Sequence, residues 1–338
     1  MKLLGICDPS RYSSPPLDIP TFYQRLSLDS RVDFCHIPVA NVFQAAEQLP
    51  TIEVMSSEGN LIYESFVKLG EQANEIEQLS DIDLVFCRTL KPFPVGYLDQ
   101  LSAWEAWTRF VNRPSSKKEQ IKPDFLFRVA KDWIPETLIT SDWQAAQAFF
   151  ETYQVIVAKQ YNSCGGRGVY KIWYKNQVFH VDNLWTGAQT FSSFAEVVNR
   201  LQTGTSEPLQ FCRYLNRVNA GDKRVVVVDG EIYGSYLRRS KSGHWINNVS
   251  GDGECTLAEI TTDEIDAIRQ TVGHYQQLEL HTLGYDFLMD DDGTWRISEI
   301  NAGNIGGFAR LELLTGEPVM DRLINWLIEF AQRPRSTD

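Results

Sequence analysis

The stretch Gly221-Asp222-Lys223-Arg224-Val225-Val226-Val227-Val228-Asp229-Gly230-Glu231-Ile232-Tyr233 decides how the rest of the chain is read. Val225–Val228 reads as a strand that meets Glu231–Tyr233 across Asp229-Gly230, a strong short hairpin signal. On the extended approach to it, Asp222 and Arg224 share one face and Lys223 points to the other. Charge of this kind guards many edge strands. The functional alternative sets Arg224 in a cleft, where a guanidinium grips a carboxylate or phosphate through two hydrogen bonds.

A second hairpin follows, with Phe287–Met289 and Trp295–Ile297 joined across Asp290-Asp291-Asp292-Gly293. Glu299 and Asn301, two apart, face the same way, and Asp286 joins them across the ladder. Two carboxylates and an amide are hard oxygen ligands suited to Mg²⁺ on a nucleotide phosphate. The aspartates of the turn tip are expected to be solvated. Ala302-Gly303-Asn304-Ile305-Gly306-Gly307-Phe308 forms a glycine loop beside the proposed metal site. A helix over 263–281 separates the hairpins, and an amphipathic helix over 318–332 closes the sequence.

Upstream, Val155–Lys159 reads as a strand that delivers one lysine to the loop Asn162-Ser163-Cys164-Gly165-Gly166-Arg167-Gly168, with another strand over 169–174. Glycines for close backbone approach and a cation suit an anion, and a plain hairpin turn suits the pattern equally. The spacing is not that of the helix-based phosphate loop. Strands are also expected over 136–140, and a helix over 142–151. The basic stretch 117–131 is helix-like and a candidate boundary. In the first third, strands at 3–7, 32–37 and 83–88, with a helix from Tyr97, imply a parallel sheet with Asp8 and Arg88 at strand carboxyl ends.

The chain has 338 residues and a net charge of −12. That balance speaks against a basic coat for nucleic acid or membrane, and no apolar run reaches spanning length. The expectation is a soluble cytoplasmic protein. Its six cysteines show no paired spacing, so they read as reduced thiols, with Cys164 the most exposed. The five histidines read as surface or hydrogen-bonded side chains.

Taken in order, these elements resemble the ATP-grasp superfamily, and most closely prokaryotic glutathione synthetase. The resemblance is carried by Gly5–Pro9, Asp83–Arg88, Asn112–Pro114, Pro135–Thr140, the Lys159 loop, Gly221–Glu231 and Glu299-Ile300-Asn301. It implies an α/β and α+β architecture: an N-terminal parallel-sheet domain over 1–121, a middle lobe over 122–212 and a C-terminal lobe over 213–332, the two lobes enclosing ATP. It implies an ATP-dependent carboxylate–amine ligase acting through an acyl phosphate. A ligase for another acid, or a silent ATP-binding module, is the alternative. Lys122, Lys159, Ser163, Gly165, Gly166, Arg213, Tyr214, Leu215 and Asp222 are implied for ATP. Asp286, Glu299 and Asn301 are implied for Mg²⁺, with Mn²⁺ as the alternative ion. Arg224, Arg238 and Asn248 are implied for catalysis, and Arg88, Gly303 and Asn304 for an amino-acid or peptide substrate. A dimer or tetramer is implied as well. Two departures bear on the substrate: Ile246 stands where the family has a basic residue, and the loop after Asn301 lacks the expected Ser/Thr-Pro.

Overall fold

The computed structural model describes residues 1–12, 18–44, 51–56, 60–69, 75–204, 206–247 and 253–334. The first third builds β1 (Lys2–Ile6), α1 (Asp18–Leu28), β2 (Asp33–Ile37), β3 (Thr51–Ser56), α2 (Tyr63–Phe66), β4 (Glu75–Gln78), β5 (Leu84–Cys87), α3 (Tyr97–Trp104) and β6 (Arg109–Val111). Its strands run in the order β4-β3-β2-β1-β5-β6. The β2-β1-β5-β6 block is parallel, as the alternation of strands and helices implies. The antiparallel addition of β3 and β4 has no counterpart in the sequence reading.

The basic stretch is two short helices, α4 (Pro114–Gln120) and α5 (Phe125–Ala130). The break falls at Pro123, which lacks the N–H a continuing helix needs. Next come β7 (Thr137–Thr140), α6 (Trp143–Tyr153), β8 (Val155–Lys159), β9 (Val169–Lys175), β10 (Val178–Asn183), β11 (Gly187–Phe191), α7 (Phe194–Gln202) and β12 (Leu209–Arg213). They form an antiparallel sheet, β11-β10-β9-β8-β12-β7, with α6 and α7 closing its core through Ala146, Phe150, Val197 and Leu201.

The last third contains β13 (Asp222–Val228), β14 (Glu231–Arg239), β15 (Glu254–Leu257), α8 (Thr262–Gln277), β16 (Thr282–Met289), β17 (Trp295–Asn301), α9 (Phe308–Thr315) and α10 (Val319–Gln332). The sheet order is β15-β14-β13-β16-β17. Helix α8 stops four residues before the expected end at His281. Glu279 takes a left-handed φ of 53°, and the Leu280 N–H turns back to the Tyr275 carbonyl, so the chain can enter β16. The start of α8 is fixed by a capping box between Thr261 and Glu264.

Helix α10 does not stay with its own sheet. Met320, Leu323, Ile324 and Leu327 share one buried cluster with Leu3, Phe22 and Phe86 of the first unit and with Val226 and Val228 of the third. At about 1.5–3 kcal/mol for each fully buried large apolar side chain, this shared core fixes the first unit against the third. Polar ties reinforce it. Asp18 accepts from the N–H groups of Gly307 (2.9 Å) and Ala309 (3.0 Å), and Arg25 pairs with Glu312 and Asp321. Among the described residues, no helix is long and apolar enough to cross a membrane.

Candidate active site

Strand alternation sorts the charges of Asp222-Lys223-Arg224 onto opposite faces. Lys223 points to α8, where its ammonium lies 2.8 Å from Glu264, a carboxylate with no exposed surface. Arg224 points the other way. Ladder register then lines up Tyr236, Arg224, Asp286 and Glu299 as one row across β14, β13, β16 and β17, with Arg238 opposite Asp222 beside it. The Arg224 guanidinium holds both Asp286 oxygens (2.5 and 2.9 Å), and Arg238 bridges Asp286 (2.7 Å) and Asp222 (2.8 Å). Space for Arg224 exists because residue 284 is glycine: a Cβ there would lie 2.8 Å from Nη1.

Burial alone would raise the carboxyl of Asp286, but Arg224 and Arg238 outweigh it and hold it below the usual carboxylate range. Among the described residues Asp222 pairs with Arg238 alone and keeps one oxygen without a hydrogen-bond partner, and burial pushes it up to about 6.

A β-bulge between Asp286 and Phe287 sets the next feature, because Glu299 pairs with Asp286 whereas Ile297 pairs with Phe287. The extra residue, Ser298, leaves the ladder, and its carbonyl accepts from the Lys159 ammonium at 2.8 Å. A lysine of the middle sheet thus lies one residue from Glu299 of the third sheet. Glu299 itself makes no hydrogen bond or ion pair among the described residues. Asn301 donates to Asp286 at 3.1 Å, which brings the three proposed metal ligands together.

Two connected clefts open here. The first, about 1600 Å³, is lined by Lys159, Ser163, Gly165, Gly166, Arg213, Tyr214, Leu215, Asp222, Glu299 and the rim residue Lys122. Its apolar walls come from Val157, Val218, Leu288 and Ile297. The second, about 1200 Å³, is lined by Arg224, Arg238, Asp286, Asn301, Asn304 and Arg310, and shares Lys91, Cys164 and Glu299 with the first. Gly168 closes the glycine loop: a Cβ there would lie 2.7 Å from Ser163 Oγ.

Several expected residues have partners that the sequence reading did not name. Lys122 directs its exposed ammonium to Glu119 at 2.5 Å. Arg213 turns its guanidinium away from the cleft to Glu136 (2.5 Å) and Asp290 (2.9 Å), which outweigh partial burial and keep it charged. Asp290 is therefore buried, and the expectation of a solvated turn tip fails for it because Arg213 and Arg296 neutralise it. Arg88 lies behind the cleft wall, fully buried, with Nη2 on the Ile305 carbonyl (2.8 Å) and Phe86 under its guanidinium; Nε and Nη1 have no hydrogen-bond partner among the described residues. Gly303 borders a small cavity with Lys117, and Asn304 donates to the Tyr12 hydroxyl at 2.7 Å. Asn248 lies outside the described residues.

The sequence reading missed Lys117, Asn247 and Lys91. Lys117 is buried beside Gly303, and burial pushes its amine well below the ordinary lysine value. Asn247 bridges Val218 and Ser240 in the wall shared by both clefts. Only the lysines carried any local signal, as part of basic or glycine-proline stretches.

Among the described residues no three His, Cys, Asp or Glu side chains form a metal cage. Magnesium needs none: it takes one or two carboxylates, keeps waters and shares phosphate oxygens. Glu299, with no competing partner, fits that role. Asp286 fits as its charged neighbour, its oxygens already receiving Arg224, Arg238 and Asn301.

The profile of the prokaryotic glutathione synthetase ATP-grasp domain matches residues 125–316, more than half of the chain. The chain belongs to that family. It is an ATP-grasp ligase, an enzyme that forms amide bonds. It is 24% identical over 333 residues to the glutathione synthetase of Prochlorococcus marinus strain MIT 9313, covering 97% of this chain and 99% of that one. It is 26% identical over 251 residues to the glutathione synthetase of Brucella melitensis, with 73% of each covered. Among solved structures, the fold is similar to D-cycloserine synthetase DcsG (TM-score 0.64, 12% identity, 98% and 100% covered). It is also similar to D-alanyl-alanine synthetase A of Vibrio cholerae (TM-score 0.63, 13% identity, 98% and 99% covered).

Proposed function

We propose that the chain joins a small carboxylic acid to an amine with ATP and Mg²⁺, through an acyl phosphate, and that γ-glutamylcysteine and glycine are the pair to test first. The observation that carries this reading is the approach of Lys159 to Ser298-Glu299 across the first cleft. It brings a cation and a carboxylate with no competing partner, from two different sheets, to one end of an apolar-walled slot. A triphosphate has the matching chemistry: its oxygens suit Lys159 and the glycine loop, and its divalent ion suits Glu299, Asn301 and Asp286. The base fits the apolar wall of Tyr214, Leu215 and Val218, and the units 1–121, 122–212 and 213–332 serve as its three walls.

When bound, magnesium spreads the charge of the phosphoryl group as it passes to the acid. The residues of the chain supply the rest. Arg224 and Arg238 stand over the second cleft and offset charge that develops on the acyl oxygen. The loop 162–168 shields the acyl phosphate from water. Arg88, buried behind the wall, holds the Ile305 carbonyl and so shapes the substrate loop 303–307.

Ile246, which lines the first cleft, and the glycine-rich loop favour a second reading for specificity, in which another acid–amine pair is the preferred one. Purified protein with ATP, Mg²⁺ and a panel of acids and amines, read by mass spectrometry, separates the two. A product from γ-glutamylcysteine and glycine supports the first. Turnover of a different pair only, with none from these two, replaces it.

A further inference from the structure

The glycine loop is held from two sides. Toward the first unit, Asn162 accepts from the Phe93 N–H (3.2 Å), and the Cys164 thiol donates to the Lys91 carbonyl (2.9 Å). On the other side stands the β10–β11 turn. Asn183, 1% exposed, directs its amide nitrogen at the carbonyls of Gly166 (3.0 Å), Arg167 (3.1 Å) and Val169 (2.9 Å). Its oxygen accepts from the N–H groups of Trp185 (2.9 Å) and Thr186 (3.1 Å). Trp185 completes the grip from outside. Its indole N–H donates to the Gly165 carbonyl at 2.9 Å, and its ring faces the Arg167 guanidinium at 4.7 Å.

An apolar residue at position 183 would satisfy burial but take two N–H donors from the Gly166, Arg167 and Val169 carbonyls, of which Gly166 keeps the Val169 N–H, and one acceptor from the Trp185 and Thr186 N–H groups. Unpaired buried groups are costly, so the loop would have to move out to find water. We propose that Asn183 and Trp185 are positioning residues: a clamp that sets the glycine loop in its reach across the cleft to Lys91–Phe93, and thereby couples ATP use to amide formation. The effect on turnover rests on the ligase reading above. The clamp itself does not.

Arg167 is exposed within the loop, so trypsin cleavage after it reports loop release without any substrate. Asn183→Ala is expected to speed that cleavage roughly tenfold, the factor matching loss of one or two net hydrogen bonds, and Trp185→Ala a few-fold. Other cleavage sites and the melting curve serve as controls. Trp185 is 56% exposed, so its variant keeps the fold and decides the matter if Asn183→Ala does not fold. In turnover, both variants should release more ADP per amide formed than the parent, because water reaches the acyl phosphate. Unchanged cleavage after Arg167 in the folded variants overturns the clamp. Faster cleavage with an unchanged ADP-to-amide ratio overturns its coupling role. A parent protein that ligates no pair on the panel overturns the ligase reading and leaves the cleavage result to judge the clamp.

Discussion

Replacing Glu299 by Gln removes a charge that no side chain among the described residues neutralises through a hydrogen bond or ion pair. Replacing Asp286 by Asn removes one that two guanidiniums share. The structure therefore predicts opposite balances of activity and stability. Glu299→Gln should leave the melting profile within about 0.5 kcal/mol of the parent, the usual range for a site without partners. It should lower turnover about 10²- to 10³-fold, or about 2.7–4 kcal/mol, if that carboxylate grips the divalent ion. Asp286→Asn strands Arg224 and half of Arg238, and leaving buried charges uncompensated costs about 3–5 kcal/mol. ADP release at saturating ATP and Mg²⁺, measured beside urea unfolding of the same samples, gives both quantities. Turnover of Glu299→Gln within about threefold of the parent (under 1 kcal/mol) would refute its role as the metal-facing carboxylate. A stability loss as large as that of Asp286→Asn would refute the claim that Glu299 is not structural.

Three further outcomes are expected. Lys159→Met removes a charge-assisted contact and should weaken ATP binding about 10- to 100-fold, matching about 1.5–3 kcal/mol, in a nucleotide titration; unchanged affinity counts against the lysine. Lys223→Met leaves buried Glu264 without its cation and should cost about 3–5 kcal/mol in urea unfolding; a loss under about 1 kcal/mol counts against the pair. His36 is fully buried, and burial pushes its imidazole down to about 3. The unfolded chain therefore binds its proton first, below about pH 6.5, and stability falls as pH drops from there toward 3. Between pH 6.5 and 5 this costs about 1.6 kcal/mol, and His36→Gln should lose that part of the slope.

Much of this site is legible in the sequence because strand alternation and hairpin register are local rules. Asp222, Arg224, Asp286, Glu299 and Asn301 meet because residues two apart share a face and the two hairpins stack edge to edge. The basic stretch and the end of α8 went wrong for local reasons that are also physical: Pro123 breaks one, and the left-handed Glu279 ends the other. What escapes is set by partners distant in sequence. Arg213 reads as a hinge residue, and nothing near it in sequence shows that its guanidinium is fixed by Asp290, 77 positions away. Asp290 looks like a solvated turn residue for the same reason. Asn183 sits in an unremarked strand, and its importance lies in three carbonyls of another turn. His36 reads as a surface or hydrogen-bonded histidine; β2 carries it inside, where Tyr23 bonds one nitrogen and the other has no hydrogen-bond partner among the described residues.

The shared cluster beneath α10 has a consequence for how the molecule comes into being. Leu3, Phe22 and Phe86 emerge from the ribosome more than two hundred residues before Leu323 and Leu327, yet they are covered by them. During synthesis the opening sheet must wait with an oily flank bare, a state that invites aggregation. Shortened versions that stop before residue 319 would keep that flank bare permanently, so neither the opening sheet nor the β15-β14-β13-β16-β17 sheet can be cut out as a self-sufficient fragment along a simple chain break.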